Sequence, residues 1–176
     1  MWVSALCTLA LIYLSLGWAR VAVEWLRDRN ALRLSVLLLL LIVAVMILRS
    51  LLRRRPGRHT LVVIVVFVVV YGVLLVFMER VEERLHLVEY GLVGAFIYRA
   101  LAERRLHGKL QRISPAVAAV LLTAAFGWID EGIQAVLPSR VYDLRDVAFN
   151  AVAGLLTVSA MVALSWAERR DAASGG

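Results

Sequence analysis

Two adjacent carboxylates, Asp130 and Glu131, stand in an otherwise apolar stretch of this 176-residue chain. Gln134 follows on the same turn, and on a helix at 100° per residue the three share an arc of about 100°. A second acidic run, from Glu79 to Tyr90, puts Glu79, Glu82, Glu83, His86, Glu89 and Tyr90 on one side of a helix. A third group, Asp146, Asn150, Gly154 and Thr157, forms one stripe that Asp143 extends. Imidazole and carboxylate groups of this kind could hold a divalent cation, which would neutralise the acids and activate water on a phosphoryl group. Without an ion, a carboxylic acid and His86 could exchange a proton as acid and base, with Arg140 clamping a phosphate. The expected catalytic set is therefore His86, Glu89, Asp130, Glu131 and Asp146. Tyr90, Gln134, Arg140 and Asn150 are expected to bind substrate. No ligand spacing identifies a particular metal. No nucleophile elbow or phosphate-cradling glycine loop is present, and Ser139 beside Pro138 reads as a turn residue.

The elements that must position these residues are long apolar helices. The sequence predicts six, at about Trp2–Trp18, Ala31–Leu52, Leu61–Met78, His86–Leu101, Pro115–Pro138 and Asp146–Trp166. Leu61–Met78 is rich in Val and would suggest strands in water, but in lipid only a helix satisfies its backbone within one segment. Pro115 suits a first turn and Pro138 stops the fifth helix. Asp130 lies eight residues before Pro138, or ~12 Å inside the helix end at ~1.5 Å per residue. A charge at the centre of a bilayer costs ~2.5–3.5 kcal/mol. Acids at this depth must be neutral, paired, metal-bound or facing a wet cavity.

Composition supports a membrane setting. Apolar residues make up 62% of the chain and charged residues 19%, with a mean hydropathy of +0.82. Soluble domains hold about 45–50% apolar and 25% charged residues, so an ordinary soluble enzyme and a disordered chain are both excluded. The single cysteine, Cys7, rules out a disulfide framework and a cysteine-based zinc site. The first apolar segment lacks a basic start and a small-x-small cleavage site, so it reads as a span rather than a cleaved leader. The net charge of +7 reads as arginine-rich loops rather than nucleic-acid binding. With both termini in the cytoplasm, the inner loops and tail hold Arg49, Arg53, Arg54, Arg55, Arg58, Arg99, Arg104, Arg105, Lys109, Arg112, Arg169 and Arg170. The eight remaining basic residues fall outside. The expected fold is an all-α polytopic membrane bundle of six transmembrane helices in the cell membrane, N- and C-termini cytoplasmic.

Asp130, Glu131 and Gln134, followed by Pro138, Arg140, Asp146, Asn150 and Gly154, together resemble the VanZ-like membrane protein family. His86 and Tyr90 fit the same family's His-x-x-x-Tyr positions, and the resemblance covers about residues 60–166. Members often carry Asp-Lys shortly before the histidine, where this chain has Glu82, Glu83 and Arg84. The resemblance implies a four-helix core at residues 57–168. Two N-terminal helices in residues 1–56 would be added to it. Independently of the resemblance, the polar residues 169–176 read as a frayed tail. It also implies a cell-envelope role. The family takes its name from a protein linked to resistance to teicoplanin, a lipidated glycopeptide.

Three functional expectations follow. The polar residues could be structural glue, since intramembrane hydrogen bonds join helices at ~0.6 kcal/mol each. Two adjacent acids are a costly way to make one contact. An acidic pocket open to the outer leaflet could act on a lipid or lipid-linked head group, as a metal-assisted or acid/base enzyme. The alternative is a non-catalytic binder or small transporter of a lipid or amphiphilic compound. Transport ranks below binding because no internal repeat relates the two halves. The membrane lipid is the expected partner. The composition leaves the substrate, the metal and the oligomeric state open.

Overall fold

The computed structural model describes residues 2–52, 56–78, 81–108, 112–137 and 142–174. They form α1 (Trp2–Asp28), α2 (Leu32–Leu52), α3 (Arg58–Phe77), α4 (Val81–Leu106), α5 (Pro115–Val136) and α6 (Leu144–Ser174), and no strand occurs among them. Among the described residues, four helices are long and apolar enough to cross a membrane: α3, Glu83–Leu106 of α4, α5 and α6. The apolar parts of α1 and α2 are shorter, Trp2–Leu14 and Leu32–Met46.

Several helices outrun their apolar segments. Hydropathy ends the first at Trp18, but the backbone stays helical to Asp28. It stops at Asn30, which takes a left-handed φ of 54°. The Asn30 N–H then donates to the Arg27 carbonyl and the Ala31 N–H to the Leu26 carbonyl, both at 2.9 Å. This is the C-terminal pattern that a left-handed Asn permits. Likewise α4 reaches from Val81 to Leu106, because Glu and Arg at its ends favour helix although they do not favour lipid. The sequence ends the sixth span at Trp166 and suggests a frayed tail over residues 169–176, yet α6 continues to Ser174.

The chain divides into two compact units, Met1–Ala22 with Leu85–Ser159, and Val23–Arg84 with Ala160–Gly176. In the first unit α1, α4, α5 and α6 share a core. Ala5, Leu9 and Ile12 come from α1, Val93, Ile97 and Leu101 from α4, Ala119 from α5 and Val158 from α6. The spacings of three and four within α1 and α4 put these residues on one stripe of each of those helices. Small residues let α4, α5 and α6 approach closely. A Cβ on Gly94 would lie 3.2 Å from the Gly154 Cα, and one on Gly127 would lie 2.5 Å from the Asn150 Cβ. Membrane helices use such small residues because close backbone packing replaces the hydrophobic drive that lipid removes.

In the second unit, α3 buries only Thr60 among its described side chains. Val62, Val65, Val66, Val68, Val69 and Val73 are all exposed. Such a face is stable against acyl chains and not against water. The first turn of α3 is capped from α6. The N-cap residue Gly57 has no side chain to offer. The Asp171 carboxylate accepts instead from the N–H groups of His59 and Thr60, each at 3.0 Å, and lies 2.8 Å from the His59 Nδ1. A Cβ at Gly57 would collide with the Asp171 side chain. Removal of an N-cap acceptor costs ~0.5–2 kcal/mol. Asp171→Ala should therefore lower the melting temperature in detergent by about 1–8 °C at ~2–4 °C per kcal/mol. An unchanged melt would show that the cap adds no stability.

Candidate functional site

Helix α5 turns one polar face inward near its C-terminal end. Pro115, Ala119, Thr123, Gly127, Asp130, Glu131 and Gln134 are its buried residues. The spacing of four, four, four, three, one and three keeps them on one side of the helix. Asp130 and Glu131 are both fully buried. Adjacent residues on a helix point 100° apart, so the two acids reach different neighbours.

Glu131 faces α4 and α6. One ligand atom each from His86, Glu131 and Asp146 lies within 4.8 Å of the others. His86 stands five residues into α4, Glu131 five residues before the end of α5, and Asp146 in the first turn of α6. Three helix ends thus deliver an imidazole and two carboxylates to one point. Both oxygens of Glu131 are oriented by protein donors. Gln134 Nε2 donates to Oε1 at 3.1 Å, and the Asp143 N–H donates to Oε2 at 3.2 Å. Asp143 in turn starts α6, since its Oδ1 accepts from the Arg145 N–H at 2.9 Å, as an N-cap does. The N-terminus of α6, with its partial positive charge, is therefore tied to the buried carboxylate of α5.

Asp130 faces the other way. The hydroxyls of Tyr13 and Tyr90 both donate toward the Phe126 carbonyl, one turn earlier on α5, at 2.9 and 3.5 Å. The Asp130 carboxylate lies within electrostatic reach of both phenols. Tyr90 is fully buried, and its ring centroid is 6.3 Å from that of His86. Asn150, one turn beyond Asp146, is fully buried. It packs against Gly127 on the same α5 face.

The remaining expected residues take other positions. The Glu89 side chain is 41% exposed, with its Oε2 3.8 Å from the His86 Nδ1. It therefore sits at the mouth of the cluster. Arg140, expected as a phosphate clamp, lies outside the described residues, as does Pro138. Trp128, two residues before Asp130, is exposed and donates from Nε1 to the Tyr142 hydroxyl at 3.2 Å.

Sequence reasoning did not single out Tyr13 or the capping role of Asp143. Tyr13 lies on α1, more than a hundred residues from its carbonyl partner, and only α1 packing on α5 brings it there. The role of Asp143 was readable, because an Asp immediately before an apolar helix and three before another acid fits an N-cap signal. Glu83, three residues before His86 on α4, is also buried.

Taken together, the apolar helices and the partly buried acid–imidazole cluster define the class: an all-helical membrane protein, among the described residues, with a polar cluster among its helices. Compared with known proteins, the chain matches no family model, no curated protein and no solved structure.

Proposed function

We propose that the chain is a multi-pass cell-envelope membrane protein whose partly buried acid–imidazole cluster acts on a lipid or lipid-linked head group. The observation that carries this reading is the convergence of His86, Glu131 and Asp146 within 4.8 Å inside apolar helices. Buried ionisable groups in spans are costly and generally mark function. Structural glue accounts poorly for them, because a hydrogen bond between helices needs no pair of acids. In this reading α1 and α2 also span, giving six transmembrane helices with both termini in the cytoplasm, as the basic loop residues favour. The cluster then lies toward the outer leaflet, where α4 and α6 begin and α5 ends.

The chemistry follows from the groups at hand. His86 and a carboxylic acid can hand a proton to, or take one from, a head-group oxygen. Glu131, held by two donors, is the fixed member of the set. Asp130, beside the phenols of the fully buried Tyr90 and the partly buried Tyr13, sets the charge on the neighbouring side of α5. Resemblance to the VanZ-like family supports an envelope role, with lipids or lipidated compounds such as the glycopeptide teicoplanin as the amphiphiles to try first.

The test is a lipid profile of cells expressing wild type or Asp146→Asn at matched levels. The expected result is a lipid species consumed or produced by wild type alone. Identical profiles from two folded proteins would overturn catalysis on native lipids. A lipid that then co-purified with wild type and not with the variant would establish the non-catalytic binder instead.

A further inference from the structure

We propose that His86, Glu131 and Asp146 bind one divalent first-row transition-metal ion. The proposal deepens the reading of this cluster as the functional site and rests on it. The first ground is geometric. Ligands on one ion with bonds of ~2.0–2.2 Å stand about 3–4 Å apart. Atoms already within 4.8 Å of one another close that gap by small side-chain rotations, without moving a helix. The residues come from α4, α5 and α6 and leave coordination positions open, as in sites where an ion meets a substrate.

The second ground is the state of the neighbouring polar atoms. The His86 Nδ1 is buried and makes no hydrogen bond among the described residues. Asn150 is fully buried, and both atoms of its amide lack a hydrogen-bond partner among the described residues. That amide sits one turn from Asp146 on α6. It lies against Gly127, on the α5 face that carries Asp130 and Glu131. Buried amides are nearly always satisfied. A hydrated ion brings water that can serve such an amide.

The third ground is the support around Glu131. Gln134 and the Asp143 N–H orient its two oxygens and leave each a further lone pair. Metal-binding carboxylates are held in this way by outer partners. The donor set selects the ion. An imidazole suits zinc and iron, carboxylates suit manganese, and a mixed set excludes sites built for magnesium or calcium from oxygen alone. With two carboxylates facing a divalent charge, the cluster becomes close to neutral and ready for an anionic head group.

The test uses the full chain purified in detergent, stripped with chelator, dialysed against Zn²⁺ or Mn²⁺ and desalted. Metal is read by mass spectrometry, and thermal melts are run with and without the ion. Wild type should keep about one ion per chain and melt higher with it. Glu131→Gln and Asp146→Asn should each keep at least about tenfold less metal and lose the shift. His107→Gln, at an exposed histidine just past α4 that bonds the Glu103 carbonyl, should bind as wild type does. Should Glu131→Gln fold poorly, Asp146→Asn at a helix end carries the comparison. Retention below about a tenth of an ion by folded wild type, or equal retention by both site variants, overturns the proposal. A bound ion with no lipid difference would keep the metal site and discard the head-group reading. A lipid difference that survives chelation, with no ion bound, would do the reverse.

Discussion

Glu131→Gln and Asp146→Asn are each expected to remove the lipid change that wild type produces, by about 10²–10⁴-fold, the range that positioned acid–base groups supply. The two variants alter little besides charge. Gln at 131 still offers Oε1 to Gln134, but an amide in place of the second oxygen turns a donor toward the Asp143 N–H. Two facing donors cannot bond, so this variant also loosens the start of α6. Asn at 146 is milder, because Asp146 is only partly buried and the N-cap of α6 is supplied by Asp143. The comparison therefore separates chemistry from architecture. If the cluster acts chemically, both variants lose turnover and only Glu131→Gln loses appreciable stability. The measurement is the accumulation of the wild-type lipid product in membranes, normalised to folded protein by size-exclusion fluorescence. Turnover within about twofold of wild type in both variants, well below the expected range, would show that the acids do not take part.

Gly127→Ala is expected to have the largest effect on stability of any single-methyl change. Two terms oppose each other. Alanine gains up to ~1 kcal/mol of helix propensity over glycine. Overpacking a tight contact costs ~1–3 kcal/mol. Here the new Cβ would fall 2.5 Å from the Cβ of Asn150, an atom fixed to the backbone that no rotamer change removes. The helices must part, and the cost wins. At ~2–4 °C per kcal/mol the melting temperature should fall by about 2–8 °C. Because Glu131 lies one turn beyond Gly127 and Asp146 one turn before Asn150, the same displacement separates the two carboxylates and should reduce activity as well. Gly154→Ala should resemble it more weakly. Its neighbours are the Thr123 Cγ2 and Cβ at 2.7 and 2.9 Å, and trimming Thr123 to Ala should return part of the loss. Gly132→Ala on the same helix meets nothing within 4 Å and should be neutral or slightly stabilising. A Gly127→Ala protein that melts at or above wild type would mean that α5 and α6 do not pack as described.

Much of this was legible before any coordinates. Apolar content and segment length set the helical membrane class, because a backbone in lipid has few other ways to satisfy its hydrogen bonds. The inward face of α5 was readable too, since Asp130, Glu131 and Gln134 fall on one arc whatever the helix packs against. The stripe from Asp146 through Asn150 to Gly154 followed from the same period. These are local properties, set within a few turns of one helix.

The partners across helices were not local. Both acids of α5 looked equivalent in sequence, yet Glu131 meets His86 and Asp146 while Asp130 sits by Tyr13 and Tyr90. A rotation of α5 by one residue would turn Asp130 toward His86 and Asp146 and carry Glu131 past them. That rotation is set by which small residues of α4, α5 and α6 come into register, and no periodicity within one helix encodes it. Helix ends escaped for a related reason. Hydropathy marks where lipid contact is favourable, but α1 ends where Asn30 can turn left-handed and α6 continues to Ser174. Asp171, in that last stretch, caps α3 over a hundred residues away in the chain. Hydrogen-bond demand at a helix end can be met from any element that reaches it, so the donor's own sequence did not name its acceptor.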